Sequence, residues 1–292
     1  MKGLIVVNAY AQTTETRQVV RMREEFTNLG VKTDTVRNDM FFARVIGDEK
    51  AKLDLQGYDF CLYLDKDKYA SRMLEKHMRL FNSAAAVENC DDKMTTHLLL
   101  NGTVPMPDTI AGLLCYDKSA TVTDDAVNRV VDALGLPVVV KQSYGSMGTG
   151  VFKADTAAQL KSLMQRFMCE PHLFQKYISS SHGKDMRVIV VGDKVLGGIQ
   201  RRSSTDFRSN IGLGGSAVKV DVPRDVQSYA VKAAKKLGLD YCGIDFLYGE
   251  RFLLCEVNSN AFFDAFENAT GINVAGAYAR HIVEIIDKSR KV

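Results

Sequence analysis

Short apolar runs, each too brief for a helix and each followed by an amphipathic stretch, recur along this chain: LIVVN (4–8), DFCLYL (59–64), PVVVK (137–141) and MRVIVV (186–191). Runs of that length bounded by turn residues read as buried strands, and the stretches between them carry the apolar period of helices. Such alternation predicts an α/β fold. At 292 residues the chain has room for about two domains. Its 38 Lys+Arg against 35 Asp+Glu leave a net charge of only +3, which gives no bulk attraction for nucleic acid or an acidic membrane. The opening MKGLIVVNAY is too short in its apolar part for a signal peptide, and no run approaches the ~18 residues of a membrane span. Six cysteines without C-x-x-C spacing read as reduced core thiols, so the expectation is a soluble cytoplasmic protein.

In the first third, strands at 4–8, 31–36, 59–64 and 79–83, with helices near 14–29 and 71–78, predict a parallel Rossmann-like sheet without the G-x-G-x-x-G fingerprint. The segment YLDKDKYASRML (63–74) follows a strand's C-terminal end, where such sheets present ligands. Beyond residue 90 the pattern changes to strand pairs introduced by helices, as in antiparallel hairpins. Helix 124–135 leads to strand PVVVK, a glycine loop and GVFKA, and Asp155 is placed to cap a helix running to about Met168. Strands follow at 172–178, 186–191 and 194–202, the last two joined by a Gly192-Asp193 turn, and a helix from Asp225 to Leu237 ends at Gly238.

The stretch GIDFLYGERFLLCEVNSNAFF (243–263) sets two carboxylates and two side-chain amides among strand-forming apolar residues. Gly249-Glu250 suits a two-residue type II′ turn, which pairs Leu247 with Phe252, Asp245 with Leu254 and Gly243 with Glu256. Asp245 and Glu256 then share a face one diagonal step of roughly 7 Å apart, with Asn258 pointing the same way. At that distance and an effective dielectric of about 20 they repel by roughly 2 kcal/mol. Either a hard divalent cation offsets this, with oxygen ligands and retained waters as magnesium prefers, or Asp245 pairs with a lysine or arginine and Asn258 caps a loop.

VVVKQSYGSMGTGVFK (138–153) places Lys141 at a strand end and Gly145, Gly148 and Gly150 in a connection between two strands, with Ser143, Ser146 and Thr149 as extra donors. Closely spaced glycines let backbone N–H groups approach phosphate oxygens, which suits a hinged phosphate cover, although a glycine-rich hairpin without a ligand has the same pattern. Lys184, Arg187, Arg201, Arg202 and Arg208 gather near one sheet by the hairpin pairing. The five histidines are scattered, which argues against a histidine metal site.

The ordered segments DDKMTTHLLL, VVVKQSYGSMGTGV, FQKYI, GKDMRVIVVGDKV, RRSSTDFRSN, GIDFL and CEVNSNAFFDAFENATGINVA resemble those of the RimK-like ATP-grasp carboxylate-amine ligases, the alpha-L-glutamate ligase group, over roughly residues 90–287. The resemblance implies an ATP-grasp fold preceded by a Rossmann-like domain. Residues 1–90 would form the latter and 91–292 the former, with a flap-bearing lobe at about 116–175 and a metal-bearing lobe at about 176–292. It implies ATP under the 145–150 flap, Lys93 and Lys141 on the nucleotide and its phosphates, the Lys176 and Tyr177 backbone at the adenine, and Asp185 on the ribose side. Arg208, Ser209 and Asn210 would reach toward phosphates and the acyl group. Asp245, Glu256 and Asn258 match the ligands of magnesium, with manganese as the alternative ion.

The implied chemistry is amide formation through an acyl phosphate, joining an amino-acid amine such as glutamate to a carboxylate acceptor, with self-association left open. Arg202 is the candidate for stabilising the acyl phosphate, with Arg201 or Arg187 as alternatives. Two departures from the family stand out: NSNAFF (258–263) lacks the proline common after the metal-binding asparagine, and NIGLGG (210–215) has Gly212 and Leu213 where ribosomal-protein glutamate ligases carry a basic pair. Phosphoryl transfer without amide formation and a non-catalytic ATP-binding module are the competing functions. H-R-D and D-F-G kinase motifs are absent from the chain.

Overall fold

The computed structural model describes residues 1–41, 55, 57–146, 148–209 and 216–291. Its N-terminal part contains β1 (Lys2–Val7), α1 (Arg17–Asn28), β2 (Lys32–Arg37), β3 (Phe60–Tyr63), α2 (Lys68–Glu75) and β4 (Arg79–Phe81). The strands form a parallel sheet in the order β2-β1-β3-β4, as the alternation predicts. Thr16 and Asp67 start the two helices by accepting from the backbone N–H three residues on, which satisfies donors that the first turn leaves open.

Two short helices, α3 (Ala84–Asp91) and α4 (Lys93–Leu100), lead into a four-stranded antiparallel sheet. It contains β5 (Thr109–Ala111), β6 (Val138–Gln142), β7 (Val151–Ala154) and β8 (His172–Lys176) in the order β5-β8-β6-β7. The edge strand β5 lies ahead of 116 and was not anticipated. Helices α5 (Asp124–Leu134) and α6 (Ala157–Phe167) cover one face through Val127, Val130, Leu160 and Phe167, and leave the other face to a cleft. Thr156, not Asp155, caps α6. Gln159 lies three residues beyond Thr156 and reaches back to its backbone N–H, closing a reciprocal capping box that Asp155 is one residue too early to make.

A five-stranded sheet in the order β11-β10-β9-β12-β13 forms the opposite wall. Its strands are β9 (Lys184–Val191), β10 (Lys194–Arg202), β11 (Ser216–Val220), β12 (Tyr241–Tyr248) and β13 (Phe252–Asn258). One face is covered by α7, while the other packs in a core at one end and faces the cleft at the other. Met186, Val188 and Val190 of β9 pack with Val226, Ala230 and Leu237 of α7 (Arg224–Leu237). Ile189 and Val191 point the other way, into a core shared with α9 (Val274–Ser289), with Phe26 of α1 and with Phe60 and Phe81 of the N-terminal sheet. A short helix, α8 (Asp264–Thr270), precedes α9. Among the described residues no helix is long and apolar enough to cross a membrane.

The carboxylate hairpin differs from its predicted register. Tyr248 pairs with Phe252, Leu247 with Leu253 and Phe246 with Leu254; the ladder then shifts, so that Asp245 lies opposite Glu256 and Gly243 opposite Asn258. The loop therefore holds three residues, Gly249 to Arg251, and Cys255 is an extra residue on β13. Without that shift Asp245 would face Cys255, and Glu256 would lie opposite Ile244 and turn toward α7. The bulge returns Glu256 and Asn258 to the Asp245 face.

Candidate active site

The two antiparallel walls enclose a cleft of about 910 Å³. From β6 and β8 it receives Val139, Lys141 and Gln175; from β9, β10, β12 and β13 it receives Asp185, Arg201, Asp245, Cys255 and Glu256. The loop from Gln142 to Gly150 roofs it. Gly145 and Gly148 hold positive φ angles of 129° and 75°, which a side chain would resist, and so keep this roof free of Cβ atoms at its bends. Arg208 Nη1 donates to the Gly148 carbonyl and so links the roof to the loop after β10.

Lys93 sits at the first turn of α4, beside its cap Asp92, and is 9% exposed. Its ammonium donates to the Gly145 carbonyl at 2.8 Å and approaches Glu256 at 3.8 Å. Burial lowers the Lys93 pKa, with Glu256 opposing that shift. Lys141, 7% exposed, donates to Gln175 Oε1 at 2.7 Å and to Cys255 Sγ at 3.2 Å, so it contacts both walls.

The β9–β10–β12 face carries a buried charge row. Arg187 forms a two-pronged pair with Asp245, at 2.7 and 2.8 Å, and Arg201 reaches both Asp185 and Asp245, the latter at 2.8 Å. Register explains it: Arg187 lies directly opposite Asp245, and Asp185 directly opposite Arg201. Burial alone would raise the Asp245 pKa, and the two guanidinium groups outweigh it and hold the carboxyl below its usual range. The lysine-or-arginine alternative for Asp245 thus corresponds to its pairs with Arg187 and Arg201.

A metal ion is compatible with this arrangement. Asp245 Oδ1 accepts one bond, from Arg187 Nε, and keeps a lone pair. Glu256 accepts no hydrogen bond among the described residues and meets only the longer approach of Lys93. The buried Nδ2 of Asn258 has no partner among the described residues, which leave that amide's orientation uncommitted. Two carboxylates and an amide oxygen suit a hard divalent cation that completes its shell with water and phosphate. Among the described residues there is no cluster of three or more His, Cys, Asp or Glu that would hold a metal unaided.

Of the other sequence candidates, Lys176, Tyr177, Arg208 and Ser209 line the cleft. Asp185 does too, but its two oxygens accept from Arg201, which makes it an ion-pair partner before it is a ribose ligand. Arg202 does not line the cleft: it is exposed and donates to Gln200 Oε1, because successive strand residues face opposite sides and Arg201 takes the inner one. Asn210 and the NIGLGG segment lie outside the described residues. Asn260 accepts from Gln18 of α1 at 3.2 Å, so its contact is with the N-terminal part and not with the carboxylates. No residue of 63–74 reaches the cleft. Three of the six thiols, Cys61, Cys90 and Cys242, are buried as core residues; Cys255 faces the cleft and Cys169 is exposed. Gln175, Cys255 and Tyr144 were missed as lining residues, and no charge or spacing marked them.

The profile of the family described as RimK-like ATP-grasp domain matches residues 90–282. The chain is 38% identical over 229 residues to N-acetylaspartylglutamate synthase A of Homo sapiens, covering 76% of this chain and 57% of the human protein. It therefore spans little more than half the length of that relative. It is 34% identical over 220 residues to a probable alpha-L-glutamate ligase of Legionella pneumophila (strain Corby), covering 73% and 68% of the two chains. D-cycloserine synthetase DcsG superposes with a TM-score of 0.76 at 14% identity, over 98% of this chain and 100% of that one, which establishes the shared fold. The three-sheet architecture and the matched residues 90–282 place this chain in the RimK-like ATP-grasp family.

Proposed function

We propose that the chain is an ADP-forming ligase that joins a carboxylate to the amine of an amino acid, with glutamate as the amine. The observation that carries this reading is the facing of Lys93 and Lys141 against Asp245 and Glu256 across one roofed cleft. Two ammonium groups suit a triphosphate, and two carboxylates on the far wall suit the cation that accompanies it. The two relatives support the choice of amine, since both of their names carry glutamate.

In this mechanism a substrate carboxylate oxygen attacks the γ-phosphorus of ATP, ADP leaves, and an acyl phosphate forms. The amine then attacks the acyl carbon, inorganic phosphate departs, and the nitrogen gives up a proton. A divalent cation, magnesium or manganese, held by Asp245, Glu256 and Asn258 would neutralise charge on the triphosphate. Lys93 and Lys141 hold phosphate oxygens from the roof side. The Lys176 and Tyr177 backbone takes the adenine end, and Arg208 and Ser209, with Asn210, line the approach to the transferred phosphoryl group. Arg201 and Arg187 are committed to Asp185 and Asp245 in the free chain, and they keep Asp245 ionised and oriented. Arg202 remains a candidate for the acyl phosphate only if the loop after it turns inward over a bound substrate.

Incubating the protein with ATP, a divalent salt, amino acids and a panel of carboxylic acids, followed by mass spectrometry, tests the proposal. A product lighter than its two components by one water, formed with one ADP each, is expected. ADP released without any amine would instead support phosphoryl transfer, and nucleotide binding without turnover would support a non-catalytic module.

A further inference from the structure

Behind Lys141 lies a chain of polar side chains that the reaction does not use, buried between α4, β5 and β8. Gln175, 2% exposed, accepts from Lys141 Nζ through Oε1 at 2.7 Å. Its Nε2 lies 3.0 Å from Thr109 Oγ1 and 3.3 Å from His97 Nε2. Thr109 spends its hydroxyl proton on the Pro107 carbonyl at 2.8 Å, so toward Gln175 its oxygen can only accept. Two acceptors therefore meet one amide nitrogen, provided His97 Nε2 is bare. Its other nitrogen, Nδ1, lies 3.2 Å from Met106 Sδ, a weak acceptor and never a donor, so the ring proton belongs there. Burial, followed by the charge of Lys141, lowers the His97 pKa to about 4 against the opposing pull of the Cys255 backbone, and keeps the ring neutral.

We propose that His97 and Gln175 are positioning residues for Lys141: the neutral Nδ1-protonated imidazole fixes the Gln175 amide with its oxygen toward the lysine. A flipped amide would set N–H groups against an ammonium and oxygen against two acceptors. A lysine has three N–H donors. Two are taken, by Gln175 and Cys255, and the third has no protein partner among the described residues while the ammonium lines the cleft. The relay thereby aims one donor at the ligand. This rests on the reading that Lys141 contacts phosphate.

The test measures ATP and ADP dissociation constants by calorimetry for the full-length protein and for Gln175→Leu, His97→Leu and His97→Gln, with melting temperatures in parallel. The Gln side chain can set its Oε1 where His97 Nε2 stood. Gln175→Leu and His97→Leu are expected to weaken ATP binding roughly tenfold, the scale of one charge-assisted hydrogen bond, and His97→Gln to restore it. Equal affinity in all four proteins, or a loss that follows melting temperature and is not rescued by His97→Gln, overturns the proposal. If the leucine variants do not fold, nitrogen-15 NMR of the wild-type protein decides: His97 protonated on Nδ1 at pH 7 supports the relay, and protonation on Nε2 refutes it. Failure of the unmodified protein to bind ATP would refute the function reading instead, with the NMR result still deciding the relay.

Discussion

Asp245 and Glu256 are directly paired across a ladder, yet they should answer substitution differently because their surroundings differ. Asp245, 4% exposed, balances two buried arginines, so Asp245→Ala leaves uncompensated charge and should cost about 3–5 kcal/mol of stability in a denaturant titration. Glu256 is partly exposed and unbonded, so Glu256→Gln should leave stability within about 0.5 kcal/mol while abolishing divalent-dependent turnover. An equal loss of stability in the two variants would show that Glu256 is structural. His97 gives a pH signature. Its folded pKa of about 4 lies below the ordinary 6.5, so between those values the unfolded chain binds a proton that the folded one does not. Stability therefore falls as pH drops through that window, by on the order of 3 kcal/mol in all, and His97→Gln should remove that part of the slope. Parallel curves for the two proteins from pH 7 to 4 would disprove it. The charged members of the site were legible in the sequence because a charge inside an apolar run demands a partner, which is how Lys141, Asp245 and Glu256 stood out. Gln175, His97 and Cys255 were not, since neutral side chains in such runs are indistinguishable from core. The choice between Arg201 and Arg202 turns on which strand face meets the cleft, and neighbouring residues of identical chemistry carry no sign of it.

At the scale of elements, α1, α2, α5, α6, α7 and most strands were readable from periodicity, whereas α3, α4, α8 and α9 were not assigned. The edge strands β5 and β11 were not anticipated: each is short and lacks the continuous apolar run that a strand buried on both faces displays. The bulge at Cys255 was illegible for a different reason. In FLLCEVN nearly every position is apolar, so inserting one residue disturbs no visible alternation, and the two-residue turn looked sufficient. The register shift there nevertheless decides the chemistry of the hairpin. Deleting Cys255 should leave Glu256 opposite Asp245 in an unbulged ladder, whereas inserting one alanine after Cys255, with the bulge kept, should turn Glu256 toward the α7 core, at several kcal/mol for a buried unpaired carboxylate. Cys255→Ala keeps the residue count and should keep Glu256 on the Asp245 face. Manganese binding followed by electron paramagnetic resonance would separate these variants, with the alanine substitution and the deletion retaining the ion and the insertion losing it. Retention by the insertion variant would mean that the register of β13 does not set the ligand geometry.

Across the whole molecule, one core runs across the division proposed from sequence at residue 90. Phe26 of α1 and Phe60 and Phe81 of the N-terminal sheet join the same core as Tyr241, Phe263 and Tyr278. Asn82, 2% exposed, ties the two parts by hydrogen bonds. Its Nδ2 donates to the Tyr241 and Ser259 carbonyls at 2.8 and 2.7 Å, and its Oδ1 accepts from the Asp240 and Tyr241 amides at 2.7 and 3.0 Å. Ser259 follows Asn258 in the chain, so the N-terminal part also braces the end of the strand that carries the carboxylates. Two consequences can be measured. A fragment of residues 91–292 would expose those aromatic rings and should be molten or insoluble, although it holds every charged group of the cleft. Asn82→Ala strands four buried backbone groups at about 1 kcal/mol or more each, and should lower the stability of both parts together in one cooperative urea transition. A well-ordered 91–292 fragment, or two separate transitions in the unmodified protein, would mean that the shared core is a contact between independent domains and that the active cleft stands without its N-terminal brace.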